Sequence, residues 1–232
     1  MVCCALGLYE YYRMALPGRM NLWLILSGAG ALLPLFFSHG STIQIPAFLT
    51  ATTLGIALLY LFSINDIKQS ALEFALTIAG LLYVPLLLGH LVLMRDLAHG
   101  IQWIFFLLVL VMSGDSGAYY VGRSLGRRKL YPLVSPNKSV EGAVGGLAGS
   151  LLGAVIASQT FFPEISLTDC ILTALIIGPL GQSGDLFESL LKRSFGVKDS
   201  GTIIPGHGGI LDRLDSILFA APALYYYARY LF

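Results

Sequence analysis

The chain has 232 residues, 56% hydrophobic and 12% charged, with a formal net charge of +1 and a mean hydropathy of +0.77. A soluble chain of this length cannot hide so much apolar surface, so the composition points to a polytopic integral membrane protein. The charge balance implies neither nucleic acid nor a basic membrane-surface mode, and Cys3, Cys4 and Cys170 show neither CxxC spacing nor histidine partners, against a zinc site or a disulfide framework.

Residues 1–16 carry no cationic segment followed by an apolar core and a small-residue cleavage site, so no cleavable signal peptide is expected. They read as the end of a helix whose start is absent. Within them Glu10 and Arg13 are spaced i, i+3 and can pair on one helical face. Tyr9, Tyr11, Tyr12 and Trp23, and later Tyr225, Tyr226, Tyr227 and Tyr230, sit near span ends, where amphipathic rings favour the membrane interface.

Apolar runs long enough to span about 30 Å of hydrocarbon occur near 20–37, 45–62, 74–93, 100–120, 142–162, 169–184 and 216–232. These predict an all-α protein of about seven transmembrane helices. His39, His90 and His99 are isolated at span ends or loops, and Asn65, Asp66 and Lys68 form a turn. Of 14 Lys and Arg and 13 Asp and Glu residues, 16 fall in two windows, 113–142 and 185–215. Threading the spans puts Arg13, Arg19, Lys68 and both windows on one side and leaves Arg95 opposite, with Arg229 near the far C-terminus. The positive-inside rule then turns a polar catalytic site toward the cytosol. Residues 1–99 make an N-terminal group of transmembrane helices, and residues 100–232 a C-terminal catalytic domain with both windows.

In the first window Asp115 ends an apolar helix, where a carboxylate is costly unless hydrated, paired or metal-bound. Arg123, Arg127, Arg128 and Lys129 supply charge suited to phosphate or to an anionic lipid. Ser135, Pro136 and Asn137 mark a turn, with Lys138, Ser139 and Glu141 entering the next helix, where amides, a hydroxyl and an ammonium can meet an anion. Gly145, Gly149 and Gly153 then form a small-residue stripe for close helix packing. Gly178 and Pro179 are expected to interrupt the following span. In the second window Asp185, Glu188 and Lys192 share one helical face, a glycine-rich loop over 196–209 carries His207, and Asp212 and Asp215 flank Arg213 at the start of the last span. Carboxylates from two helices beside fixed cations suit nucleotidyl transfer, in which magnesium takes a few carboxylate oxygens and cations neutralise phosphoryl charge.

From Ser189 to Asp215 the chain reads S-x-L-K-R-x4-K-D-x-G-x2-I-P-G-H-G-G-x-L-D-R-x-D, which resembles the signature of the phosphatidate cytidylyltransferases, the CDP-diacylglycerol synthases. The first window is similar as well, with Asp115, Ala118, Tyr119, Gly122, Arg123, Gly126, Ser135, Pro136, Lys138, Ser139, Glu141 and Gly142 in the family's order. The resemblance implies an enzyme of the inner membrane that converts CTP and phosphatidic acid to CDP-diacylglycerol and pyrophosphate with magnesium. By position, Asp185 and Asp212 resemble the metal-bridging acids, with Asp215 and Glu188 as further candidates. Lys138, Lys192, Arg193, Lys198 and Arg213 are then phosphate-holding cations, and His207 with Gly208 and Gly209 orients nucleotide or lipid phosphate. Asp115, Arg123, Ser135, Ser139 and Glu141 join Lys138 as candidate substrate-binding residues. Family members are usually longer at the N-terminus, and a homodimer is left open. Rival expectations are a CTP-dependent polyprenol or phytol kinase and an ether-lipid cytidylyltransferase. A transporter is disfavoured, because the charges sit at one membrane end instead of mid-span.

Overall fold

The computed structural model describes residues 1–19, 26–30, 32–33, 44–63, 66–203 and 208–232. Within them run α1 (Val2–Ala15), α2 (Gln44–Phe62), α3 (Ile67–Tyr83), α4 (Pro85–Arg95), α5 (Gly100–Leu125), strands β1 (Lys129–Tyr131) and β2 (Ser135–Ser139), then α6 (Val140–Thr160), α7 (Leu167–Ser194) and α8 (Leu211–Tyr230). Four stretches among the described residues are long and apolar enough to cross a membrane: Ile67–Arg95, Gly100–Leu125, Val140–Thr160 and Leu167–Ser194. Pro46–Phe62 is apolar but shorter. The run expected near 20–37 falls largely outside the described residues.

The chain divides into two compact units, Met1–Val92 with Asp199–Asp212, and Leu93–Lys198 with Arg213–Phe232. The second charged window is therefore shared out, its loop going to the first unit and its flanks to the second.

In the first unit α1 meets α3 through aromatic side chains. Tyr11 and Tyr12 are 2% and 0% exposed, and their hydroxyls donate to the carbonyls of Leu76 (3.2 Å) and Thr77 (2.9 Å). They are core residues, a correction to their expected place at the membrane interface: each ring has apolar neighbours and each hydroxyl a buried acceptor, so burial leaves no polar group unsatisfied. Gly80 permits the approach, since a Cβ there would stand 2.7 Å from the Tyr11 ring. Asp66 caps α3 by accepting from the Lys68 N–H at 2.9 Å, where a turn was expected.

In the second unit α5 and α6 pack backbone to backbone. A Cβ on Gly149 would collide with the Ser113 carbonyl and stand 3.3 Å from the Gly117 Cα, so the glycine stripe of α6 faces α5 as its spacing predicts. Lipid supplies no hydrophobic drive between spans, and such contacts hold helices together by dispersion instead. The Ser150 hydroxyl donates across the pair to the Leu110 carbonyl at 3.0 Å. At the other end of α5, Trp103 is 0% exposed and meets Phe106, Phe162 and Phe232 edge-on, with centroids 5.8, 4.9 and 5.0 Å away.

Three further expectations are corrected. The all-α description misses the hairpin of β1 and β2, which pair antiparallel with Lys129 opposite Ser139 and Tyr131 opposite Ser135, and a register shift between. Ser135, Pro136 and Asn137 lie in β2 and the turn precedes them; Pro136 lacks a donor, which a two-stranded ribbon tolerates because each strand has an open edge. Likewise α7 is continuous through Gly178 and Pro179 for 28 residues. Proline costs a helix one hydrogen bond and a local clash, and packing along the rest of the axis carries the helix past it. A capping box of Ser166 and Asp169 starts α7, and the Tyr227 hydroxyl donates to Asp169.

Candidate active site

The long continuous α7 sets the polar cluster of the second unit. Its last turns carry Asp185, Glu188, Ser189 and Lys192 at spacings of three and four, so one face becomes polar where the apolar part ends. Opposite, the hairpin delivers Lys138 just before α6 begins, and its Nζ stands 2.6 Å from Asp185 Oδ2. This ion pair joins the two charged windows. Both side chains keep some solvent contact, 25% for Lys138 and 35% for Asp185, so either can take a ligand. Ser189 Oγ lies 3.5 Å from the other Asp185 oxygen.

Two more carboxylates belong to this field. Asp115 lies within α5, which continues to Leu125, and not at the helix end where it was expected; it feels the charges of Asp185 and Lys138. Asp215, in the first turns of α8, feels those of Asp185, Asp115 and Lys192. Gly184 brings α8 in close, for a Cβ on it would collide with the Asp215 carbonyl. One Asp215 oxygen accepts from the Ser216 N–H at 2.6 Å. Glu188 is 0% exposed and pairs with Lys192, Nζ to Oε2, at 2.6 Å. A buried acid held so closely by its own lysine is internally compensated.

Several predicted residues serve as framework. Ser139 is the N-cap of α6, its hydroxyl oxygen accepting from the Gly142 N–H at 3.1 Å. Glu141 accepts from the N–H groups of Arg127 (3.0 Å) and Arg128 (3.1 Å), closing the turn between α5 and the hairpin. Ser135 pairs with Tyr131 in the ribbon. Arg123 is exposed and donates to the Tyr119 hydroxyl at 2.9 Å. Arg193 is exposed and donates to the Val197 carbonyl at 3.2 Å, while Lys198 and Arg213 are exposed. These cations lie at the surface, and the Ser139 hydroxyl and the Glu141 carboxylate hold the backbone of the α6 start and of the turn before the hairpin.

The first unit contains the glycine-rich loop. Asp212 Oδ2 accepts three hydrogen bonds there, from the Ser200 N–H (3.0 Å), the Ser200 hydroxyl (2.8 Å) and the Gly209 N–H (2.7 Å). Gly208 has φ +81, a left-handed conformation that a side chain would strain. His207 lies outside the described residues. The residue that sequence reasoning missed is Glu10. Its carboxylate is 1% exposed and accepts from the same loop, whereas Arg13, its expected partner, is exposed. The available signal was that Glu10 is the sole acid before Asp66 in an apolar stretch. Among the described residues no three His, Cys, Asp or Glu side chains are grouped as a metal cage would require.

Comparison with known proteins bears on this arrangement. A profile described as the cytidylyltransferase family matches residues 1–231. The phosphatidate cytidylyltransferase of Bacillus subtilis (strain 168) is 48% identical over 155 residues, covering 65% of this chain and 56% of that protein. That of Staphylococcus saprophyticus is 43% identical over 157 residues, covering 68% and 60%, and that of Staphylococcus aureus (strain COL) is 35% identical over 203 residues, covering 86% and 76%. The chain thus spans 56% and 60% of the length of the Bacillus and S. saprophyticus proteins. With the match running along nearly every residue, the chain belongs to the cytidylyltransferase family.

Proposed function

We propose that this chain acts as a CTP:phosphatidate cytidylyltransferase, joining phosphatidic acid to the cytidylyl group of CTP at a polar site that faces the cytosol from an inner membrane crossed by about seven helices. The observation that carries this is the 2.6 Å pair of Lys138 with Asp185, which unites two charged windows beside long apolar helices. The names of the relatives support the same activity.

Phosphatidic acid is a phosphate monoester with a second pKa of about 6, so near neutral pH it is largely dianionic and needs no general base. Its oxygen attacks the α-phosphorus of CTP in line. A new P–O bond forms as the bond to the β-phosphate oxygen breaks, and pyrophosphate departs with the electron pair. Lys138, already desolvated on one side by Asp185, holds phosphate oxygens, and the exposed Arg193, Lys198 and Arg213 draw the anionic substrates in. Hydrogen bonds from the Ser200 and Gly209 amides to Asp212 tie these two residues to the start of α8.

Magnesium fits the cluster by charge. Asp115, Asp185, Glu188 and Asp215 share their surroundings with Lys138 and Lys192, so acids outnumber lysines. The ion takes one or two protein carboxylates and fills its shell with water and phosphate, which a cluster without a closed cage can satisfy. We assign Asp185 and Asp215 to it. When bound, it neutralises charge on the phosphoryl and pyrophosphate oxygens.

The test is CTP labelled at the α-phosphate, incubated with purified protein and dioleoyl phosphatidate. Label is expected in the lipid, with activity lost on adding EDTA and restored by magnesium. Label recovered only in CDP would mark a CTP-dependent lipid kinase and refute the proposal.

A further inference from the structure

Glu10 lies in α1, far along the chain from either charged window, yet both its carboxylate oxygens are spent on the loop that leads into α8. Oε1 accepts from the Ile210 N–H at 3.0 Å; Oε2 accepts from the Leu211 N–H at 2.8 Å and lies 3.2 Å from the Ser200 hydroxyl. The first N–H groups of a helix have no acceptor within it, and they carry the positive end of its dipole. A carboxylate placed there is compensated by amides, and among the described residues no lysine, arginine or histidine forms an ion pair with Glu10. The loop is shaped to it in return. A Cβ on Gly209 would stand 2.6 Å from the Glu10 Cδ, and one on Gly201 2.8 Å, so both glycines leave room for this side chain. Ser200 links the two acids of this unit, with its hydroxyl 2.8 Å from Asp212 and 3.2 Å from Glu10.

The geometry points to Glu10 as a positioning residue: a buried carboxylate supplied by the first helix that holds Ser200, Ile210 and Leu211 and so sets Asp212, Gly201 and Gly209 without touching substrate. Its consequence for catalysis rests on the proposed role of this loop in cytidylyl transfer. Its consequence for the loop does not. In Glu10→Gln one oxygen becomes an amide nitrogen that faces N–H groups, so at least one of the loop contacts is lost and the charge that meets the helix N-terminus is gone.

The experiment uses the full chain in lipid nanodiscs and follows hydrogen exchange of the Gly208–Leu211 amides together with steady-state transfer from α-labelled CTP. Glu10→Gln should speed exchange at those amides by at least about tenfold, the change that matches roughly 1.4 kcal/mol, while exchange along α5 and α6 stays at the wild-type rate. Its kcat should fall by about tenfold or more with KM for CTP little changed; a smaller active fraction gives the same split, so the confinement of faster exchange to the Gly208–Leu211 amides is what separates local positioning from general destabilisation. Ser200→Ala should move both readouts in the same direction by less. Unchanged exchange at Gly208–Leu211 in both variants, or faster exchange spread evenly over the chain, would overturn the assignment. Should Glu10→Gln fail to insert, the exchange result for Ser200→Ala decides. A wild-type protein that transfers no label refutes the proposed function, and the exchange measurement still settles what Glu10 does.

Discussion

Asp185 and Asp212 belong to the same charged window, yet they are held by opposite chemistry. Asp185 stands against the ammonium of Lys138 with a third of its side chain open to solvent. Asp212 stands against the N–H groups of Ser200 and Gly209, joined by Glu10 against those of Ile210 and Leu211. An acid paired to an ammonium at a partly open position can exchange that partner for a metal ion or release it to a phosphate, because both side chains remain reachable. An acid gripped by backbone amides cannot leave without unmaking the loop. One carboxylate thus meets an ammonium and the other two meet donors of the loop, although all three are equally conspicuous as charge in an apolar chain.

Breaking the poised side of the comparison should have the largest effect. Asp185→Asn removes the charge that meets Lys138 and the proposed ion, and kcat for cytidylyl transfer should fall by about 1,000-fold or more, with insertion unchanged; such losses are typical when charge stabilisation of a phosphoryl transition state is removed. Asp212→Asn tests the framework side and should cost less, about ten- to a hundredfold in kcat, because an oxygen acceptor for the loop amides survives. Faster exchange at Gly208–Leu211 should accompany that loss. If Asp212→Asn proves the more damaging of the two, the assignment is reversed and Asp212 is the acid of the reaction. The finest test is a double-mutant cycle of Asp185→Asn with Lys138→Met on transfer activity. A coupling of about 1–3 kcal/mol is expected for groups in contact; additive effects would mean that the pair does not act as a unit.

The run at 100–120 appears as α5 and the stripe of Gly145, Gly149 and Gly153 faces it, because apolar length and small-residue spacing are properties of a single segment. Pro179 is a local helix breaker by sequence, and the packing that lets α7 continue through it lies outside its own segment. The position of Tyr11 and Tyr12 near a span end points to the interface, whereas α3 supplies the acceptors that bury them. Glu10 was matched to Arg13, the partner visible within one helix, when its acceptor role is filled from residues 190 to 201 positions away.

By itself, then, the amino-acid sequence determined the membrane character of the chain, its long helices, the two charged windows and the family signature, since hydropathy, period and motif are all read along the chain. Tertiary structure alone decided which acid meets a lysine and which meets an amide. A carboxylate looks the same in sequence whatever its partner, and the partner is chosen by contacts between segments that hydropathy and spacing do not encode.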